Sequence, residues 1–472
     1  MSAAGAGPEL AGAVAAAARR AASLGRAQWV SLPLPVAPRD GLELFAASPA
    51  SERFFWERPA DGLQVVGLGA SHAIELAGAQ RFGAAAREAR ALARDRQRIA
   101  GAGTSADEPL LVGGFSFADE SSSSGDWKGF PAGRLVLPEL IVAKRGARAV
   151  CVATHRVDPG ADATRELALA RAAFERWCAA IASAPTAVAQ AGAADAEAGY
   201  RAAVECTHAA FRDDVAAALR AISGGSLAKV VLARAVRVAR RGGFDAAPIL
   251  AKLRRAYPSC ATFAVARPEG TFLGATPELL VRLDGRSLQT AATAGSAPRG
   301  RSPQEDERLG RELAGSAKER AEHALVVSSL AAALSGACSE LDVPDVPRLA
   351  RLDGIQHLET PIRGALRAPE HVLELVGRLH PTPAVGGSPR AAALAWIARR
   401  ERLERGWYAG PVGFARADGG GEFWVGLRSA LLCGESARLF AGAGVVAGSQ
   451  PEDELRETQL KLRAMLGALV EL

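Results

Sequence analysis

Methionine, tyrosine and cysteine are scarce in this 472-residue chain, at two, three and six residues. The cysteines (151, 178, 206, 260, 338 and 433) show no CxxC spacing. That excludes a zinc ribbon and a disulfide framework and fits reduced thiols in an intracellular enzyme. No run reaches the roughly 18 apolar residues that a bilayer-crossing helix needs, so no membrane partner is expected. The alanine-rich amino terminus has Glu9 inside it and Arg19-Arg20 after its apolar part, the reverse of a secretory signal. A cytoplasmic location is the expectation. Aromatics make up only 5%, and none interleave the arginine-rich stretches at 86–100 and 389–405. The net charge of +6 is therefore read as solvated helix faces, not as a track for nucleic acid.

What is present is ordinary globular material. Hydrophobic residues at 49% and charged residues at 23% support a sizeable core, in two or three domains or one large two-layer domain. Residues 1–30 read as one helix. Short β-like runs follow at 54–57, 63–67, 110–115 and 135–138, with a helix between them at 78–100. A further sheet segment ends near Thr154, Ser121–Ser124 reads as a loop, and 180–197 as a connection. The second half predicts helices at 198–222, 246–257, 304–336, 369–378 and 389–403. Its strands are expected at 229–236, 261–266, 271–274, 422–432 and 437–442. Asp284-Gly285 between 279–283 and 288–293 signals a hairpin. Hairpins outnumber crossovers, so the expected class is α+β, with large, mainly antiparallel sheets flanked by helices. The parts are 1–197 and 198–466. Gly442–Gly448 is expected to be a turn; its spacing is not GxGxxG, which rules out a dinucleotide loop. A last helix starts at Pro451.

Two predicted helices carry paired carboxylates. Glu319 and Glu322 stand at i and i+3, as do Glu454 and Glu457, so each pair shares one helix face. In the last helix Leu455, Leu462, Met465, Leu466 and Leu469 form the apolar stripe, and Glu454, Glu457 and Lys461 border it as at the rim of a cleft. Either pair alone fits a solvated face. Together, four carboxylates from two helices call for a divalent cation, and all-oxygen ligands suit Mg2+ shared with an anionic substrate.

Seven segments occur in order: Lys-Val-Val-Leu-Ala-Arg (229–234), Gly-Ala-Thr-Pro-Glu-Leu-Leu (274–280), Ala-Gly-Ser-Ala-Pro-Arg-Gly (294–300), Ala-Glu-His (321–323), Ile-Gln-His-Leu (355–358), Leu-His-Pro-Thr-Pro-Ala-Val-Gly-Gly (379–387), and Phe-Ala-Gly-Ala-Gly-Val-Val (440–446) with Arg-Glu-Thr-Gln-Leu-Lys (456–461). Over roughly 200–466 the chain resembles the chorismate-binding enzymes with the anthranilate synthase component I-like fold, and most closely their isochorismate synthases. Phe54–Pro59 and Trp127–Phe130 resemble that family's amino-terminal portion less specifically.

The resemblance implies water addition at C2 of chorismate with loss of the C4 hydroxyl, for menaquinone or siderophore synthesis. It implies Lys229 as base, made available by desolvation or a nearby cation, and Glu278 as acid. Glu322 and Glu457 are implied as direct or water-mediated Mg2+ ligands, with Glu319 and Glu454 outside them. Tyr408, Arg428, Gly442 and Lys461 are implied as carboxylate-binding residues, with His357 near the C4 hydroxyl. As a lone residue His357 equally fits a satisfied core histidine. Ala294 stands where aminodeoxychorismate synthases of this family carry a nucleophilic lysine, and anthranilate synthases generally lack the lysine equivalent to Lys229. Salicylate synthases, which add pyruvate elimination, share Lys229 and a tyrosine at 408, so they remain the alternative. Thr293 and Glu359 depart from the family pattern. The expected partner is chorismate, without an amidotransferase subunit, in a monomer or weak homodimer.

Overall fold

Alternation sets the architecture. In the strand Arg53–Arg58, Phe54 and Trp56 point one way and Phe55 the other, as a two-residue repeat requires. Trp56 packs between two sheets, with ring neighbours Phe263 at 6.3 Å, Trp424 at 6.3 Å and Phe414 at 6.4 Å. Phe55 meets Phe45 at 6.0 Å in a second core beneath helices on the outer face. Trp56 is fully buried, so Trp56→Ala is expected to lower unfolding stability by ~3–5 kcal/mol. Urea denaturation checks this, and a loss below about 1 kcal/mol would show that the inter-sheet core does not depend on that ring.

The computed structural model describes residues 7–35, 37, 39–99, 108–120, 125–185 and 199–470. Its first sheet has 13 strands. From one edge, the order is Tyr200–Val204, Lys229–Arg240, Ser436–Val446, Ser429–Cys433, Gly270–Thr276, Ala261–Arg267 and Arg53–Arg58, after which the amino-terminal strands complete it. The second sheet has 10 strands, with Ile355–Leu366, Ser287–Pro298, Leu279–Asp284, Gly421–Val425, Pro411–Arg416 and Pro109–Phe115 adjacent in that order. Pairing is antiparallel, except where Gln28–Pro33 runs parallel to Arg96–Arg98. Both halves of the sequence share both sheets. Ala261–Arg267 pairs with Arg53–Arg58, and Pro411–Arg416 with Pro109–Phe115.

The chain passes between the sheets twice at one place. After Gly270–Thr276 it crosses through Pro277-Glu278 into Leu279–Asp284, and after Gly421–Val425 it returns through Gly426–Arg428 into Ser429–Cys433. The two crossings are laced by Val425 N–H to Glu278 O (3.0 Å) and Ala275 N–H to Arg428 O (3.1 Å). Arg428 has φ +46° and neighbouring Ala409 φ +61°. Left-handed backbone at non-glycine residues is costly and gathers at functional sites.

Several expectations are corrected. The single strand at 422–432 is two strands in different sheets. The helix at 304–336 is two, Pro303–Gly315 and Ala317–Ser335, because Ser316 caps the second by accepting from Glu319 N–H. The 198–222 helix starts at His208, behind the strand Tyr200–Val204. The first helix, Gly7–Leu24, ends before the strand Gln28–Pro33, and 78–100 is the helix Arg81–Asp95 followed by the strand Arg96–Arg98. The turn at 442–448 is mostly strand, since Ser436–Val446 runs through it. The helix Ala163–Ser183 and the strand Ile355–Leu366 were not foreseen. The Ser121–Ser124 loop lies outside the described residues.

Candidate active site

Lys229 opens its strand opposite Val446 and Ser388. Its side chain is buried under the helix Ala317–Ser335, where Nζ lies 2.9 Å from Glu322 Oε1. The strand Ser436–Val446 supplies glycine where bulk is forbidden. A Cβ on Gly444 would sit 2.2 Å from Glu322 Oε1, and one on Gly442 3.0 Å from Tyr408 Oη. These glycines serve close approach inside a strand.

The paired carboxylates do come together. Glu322 and Glu457 line one cleft of about 720 Å³, whereas Glu319 and Glu454 are not among its lining residues and are held by Lys318. Three lysines meet the four charges. Lys318 Nζ bridges Glu319 (3.1 Å) and Glu454 (2.8 Å), Lys461 Nζ lies 2.5 Å from Glu457, and Lys229 holds Glu322. Burial raises the Glu319 and Glu454 carboxyls above their ordinary range, with neighbouring carboxylates adding to it. Burial works the same way on Glu457, but Lys461 and Lys318 outweigh it and hold that carboxyl low.

Among the described residues no three His, Cys, Asp or Glu side chains converge closely enough to hold a metal in this arrangement. The donor set nevertheless fits a hard divalent cation. It is all carboxylate oxygen, one carboxylate from each helix faces the cleft, and the acidic groups outnumber their lysine partners.

At the other end of the cleft Arg428 Nη2 donates to His357 Nε2 at 3.1 Å. His357 therefore carries its proton on Nδ1, which faces Ser296 Oγ at 3.0 Å, and Ser296 in turn donates to Glu457 Oε1 at 3.2 Å. Burial, with Arg428 and Lys461 beside it, pushes His357 down to about 3, so the ring is neutral. Lys461 also donates to Gly442 O at 3.0 Å. Tyr408 stacks on Phe440 with centroids 5.1 Å apart, and burial raises its hydroxyl. Glu278, on the crossing between sheets, accepts from Thr382 Oγ1 at 3.4 Å. Burial pushes its carboxyl up to about 7, against the pull of Lys229 and Lys461.

Glu278, Glu322, His357, Tyr408, Arg428, Gly442, Glu457 and Lys461 thus line one cavity, with Lys229 in contact through Glu322. Sequence reasoning missed Ser296, which lay inside a motif it had singled out, and Thr382 and Arg405. Arg405 is buried and ion-paired to Glu401, and it donates to Val385 O and Val231 O to hold the cleft wall.

Two sheets exchanging strands around a buried amine, a protonatable carboxyl and an arginine define an enzyme that grips a small anion and moves protons on it. The match to known proteins narrows this. The model of the chorismate binding enzyme family covers residues 15–470, and the chain belongs to that family. It is 38% identical over 468 residues to the salicylate biosynthesis isochorismate synthase of Pseudomonas aeruginosa, spanning 95% of this chain and 92% of that one. It is 32% identical to isochorismate synthase MenF of Bacillus subtilis, over 96% of both. The structure of MenF, the menaquinone-specific isochorismate synthase of Escherichia coli, superposes with a TM-score of 0.76 at 28% identity, over 93% of this chain and 94% of that one. Anthranilate synthase component I of Streptococcus pneumoniae, at 17% identity and a TM-score of 0.67, shares the fold. No helix among the described residues is long and apolar enough to cross a membrane.

Proposed function

We propose that this protein is an isochorismate synthase that converts chorismate to isochorismate. The observation that carries the reading is a buried lysine and a carboxyl held near neutrality in one cleft, with Arg428 and Lys461 beside them to take carboxylates. Lys229 takes a proton from water as its oxygen bonds to C2 of the ring. Both ring double bonds shift, C1=C2 to C1=C6 and C5=C6 to C4=C5, the C4–O bond breaks, and Glu278 delivers a proton to the departing hydroxyl, which leaves as water. Lys229 acts as base in its neutral form, so its ammonium, paired with Glu322 in this structure, first leaves that pair and gives up a proton to solvent. Arg428, fixed by His357, offers a carboxylate its forked donors, and Tyr408, the Gly442 backbone and Lys461 complete that end. Glu322 and Glu457, with Glu319 and Glu454 as outer partners, would hold Mg2+, which when bound would supply positive charge for a substrate carboxylate.

Purified protein with chorismate and Mg2+ is expected to yield isochorismate without glutamine, ammonium or an amidotransferase. Turnover should stop with a chelator and return with added Mg2+. Product chromatography decides. Tyr408 favours a second reading, salicylate synthesis, which salicylate plus pyruvate as the main products would establish instead. Turnover indifferent to the chelator would remove the metal from the proposal. The carboxylate set and the cytoplasmic, menaquinone or siderophore setting belong to the same proposal.

A further inference from the structure

A second cavity of about 1240 Å³ is bordered by Phe82, Phe117, His380, Pro381 and Arg405. Arg405 lines both cavities, but its guanidinium is fully engaged by Glu401, Val385 O and Val231 O. Arg81 is different. It is 4% exposed and lines the second cavity, yet among the described residues its only hydrogen bonds are long ones to Gly78 O (3.4 Å) and Ser116 O (3.5 Å). Nε has no hydrogen-bond partner, the guanidinium lies over the Phe82 ring at 4.4 Å, and no ion pair among the described residues joins it to a carboxylate. A buried guanidinium is ordinarily paired, because desolvating an unopposed charge is expensive. Burial lowers the Arg81 guanidinium to about 10, with Asp119 opposing.

The remaining walls are Leu394 and Ile397 with Phe82 and Phe117, the Phe82 ring lying under Arg81 and the Phe117 ring under Arg405 at 4.2 Å. Neutral His380 stands beside both phenylalanines. Arg390 is at the exposed edge, with one backbone bond to Arg378 O at 3.3 Å. Asp119, Glu120 and Glu404 are also at that exposed edge. Acidic residues at the mouth disfavour a multiply charged phosphate, whereas one arginine on the floor matches one carboxylate bidentately. The apolar walls match a ring.

We propose that this cavity is a second binding site, separate from the cleft, for a small ring-bearing monocarboxylate whose carboxylate sits on Arg81. Its test does not depend on turnover, so it stands or fails apart from the proposed reaction. Benzoate is titrated calorimetrically into wild type, Arg428→Gln, Arg81→Gln and Leu394→Glu. A binding event retained in Arg428→Gln and weakened at least about tenfold in Arg81→Gln and Leu394→Glu is expected, the loss following from a charged hydrogen bond. If Arg81→Gln does not fold, Leu394→Glu, on a half-exposed wall position, decides alone. Benzoate binding unchanged in these two variants, or abolished in Arg428→Gln, overturns the site. Inorganic phosphate is expected to bind at least about tenfold more weakly than benzoate; equal or tighter binding overturns the ligand class.

Discussion

Lys229→Gln is expected to lower kcat by about 10²–10⁴-fold, the range over which a positioned general base contributes. Glutamine is preferred to alanine for a physical reason. The Lys229 ammonium is the ion-pair partner of a Glu322 carboxylate that is itself 7% exposed, and removing one partner of such a pair costs roughly 3–5 kcal/mol. Lys229→Ala should therefore lose turnover and melt early, which confounds chemistry with folding. The amide of glutamine can still donate to Glu322 but accepts no proton from water at neutral pH. Near wild-type melting with turnover lost would place the defect in the reaction. Turnover within about tenfold of wild type would instead make Lys229 a structural counter-charge and leave the base unassigned.

Much of this was readable from the chain because it depends on local pattern. The Asp284-Gly285 signal marks a hairpin that is present, Leu279–Asp284 paired with Ser287–Pro298. The i, i+3 carboxylates lie on helix faces that converge, because each helix has its own apolar stripe to bury. What escaped was tertiary. Residues 422–432 alternate like one strand, and nothing local reveals that Gly426–Arg428 carries the chain from one sheet to the other, although that switch aims Arg428 into the cleft. Gly442 and Gly444 read as a turn by composition, but their reasons are Tyr408 and Glu322, distant in sequence. Carboxylate repulsion implied a cation and overlooked the lysines already in the same segments, Lys318 and Lys461, which take up part of that charge. The link from Arg428 through His357 and Ser296 to Glu457 joins four elements, and no spacing rule contains it.

Glu278→Gln is expected to abolish turnover to a similar degree, about 10²–10⁴-fold, while making the protein more stable above neutral pH. An unfolded glutamate ionises near 4.5, whereas folded Glu278 keeps its proton to about 7. The fold binds the proton more tightly, so wild-type stability is fullest below the lower value and declines as pH rises through the upper one. At about pH 8 the ionised, buried carboxylate costs the folded state up to ~3 kcal/mol that glutamine does not incur. Near pH 4 the two proteins should melt alike. The same titration shapes the rate: an acid must hold its proton to give it, so wild-type kcat/KM should fall as pH rises past about 7. Thermal melts and rate profiles on the two proteins check both limbs. An inactive Glu278→Gln that gains no stability at high pH would mean the carboxyl is already ionised at neutrality. A wild-type profile flat across that range would deny Glu278 the role of acid.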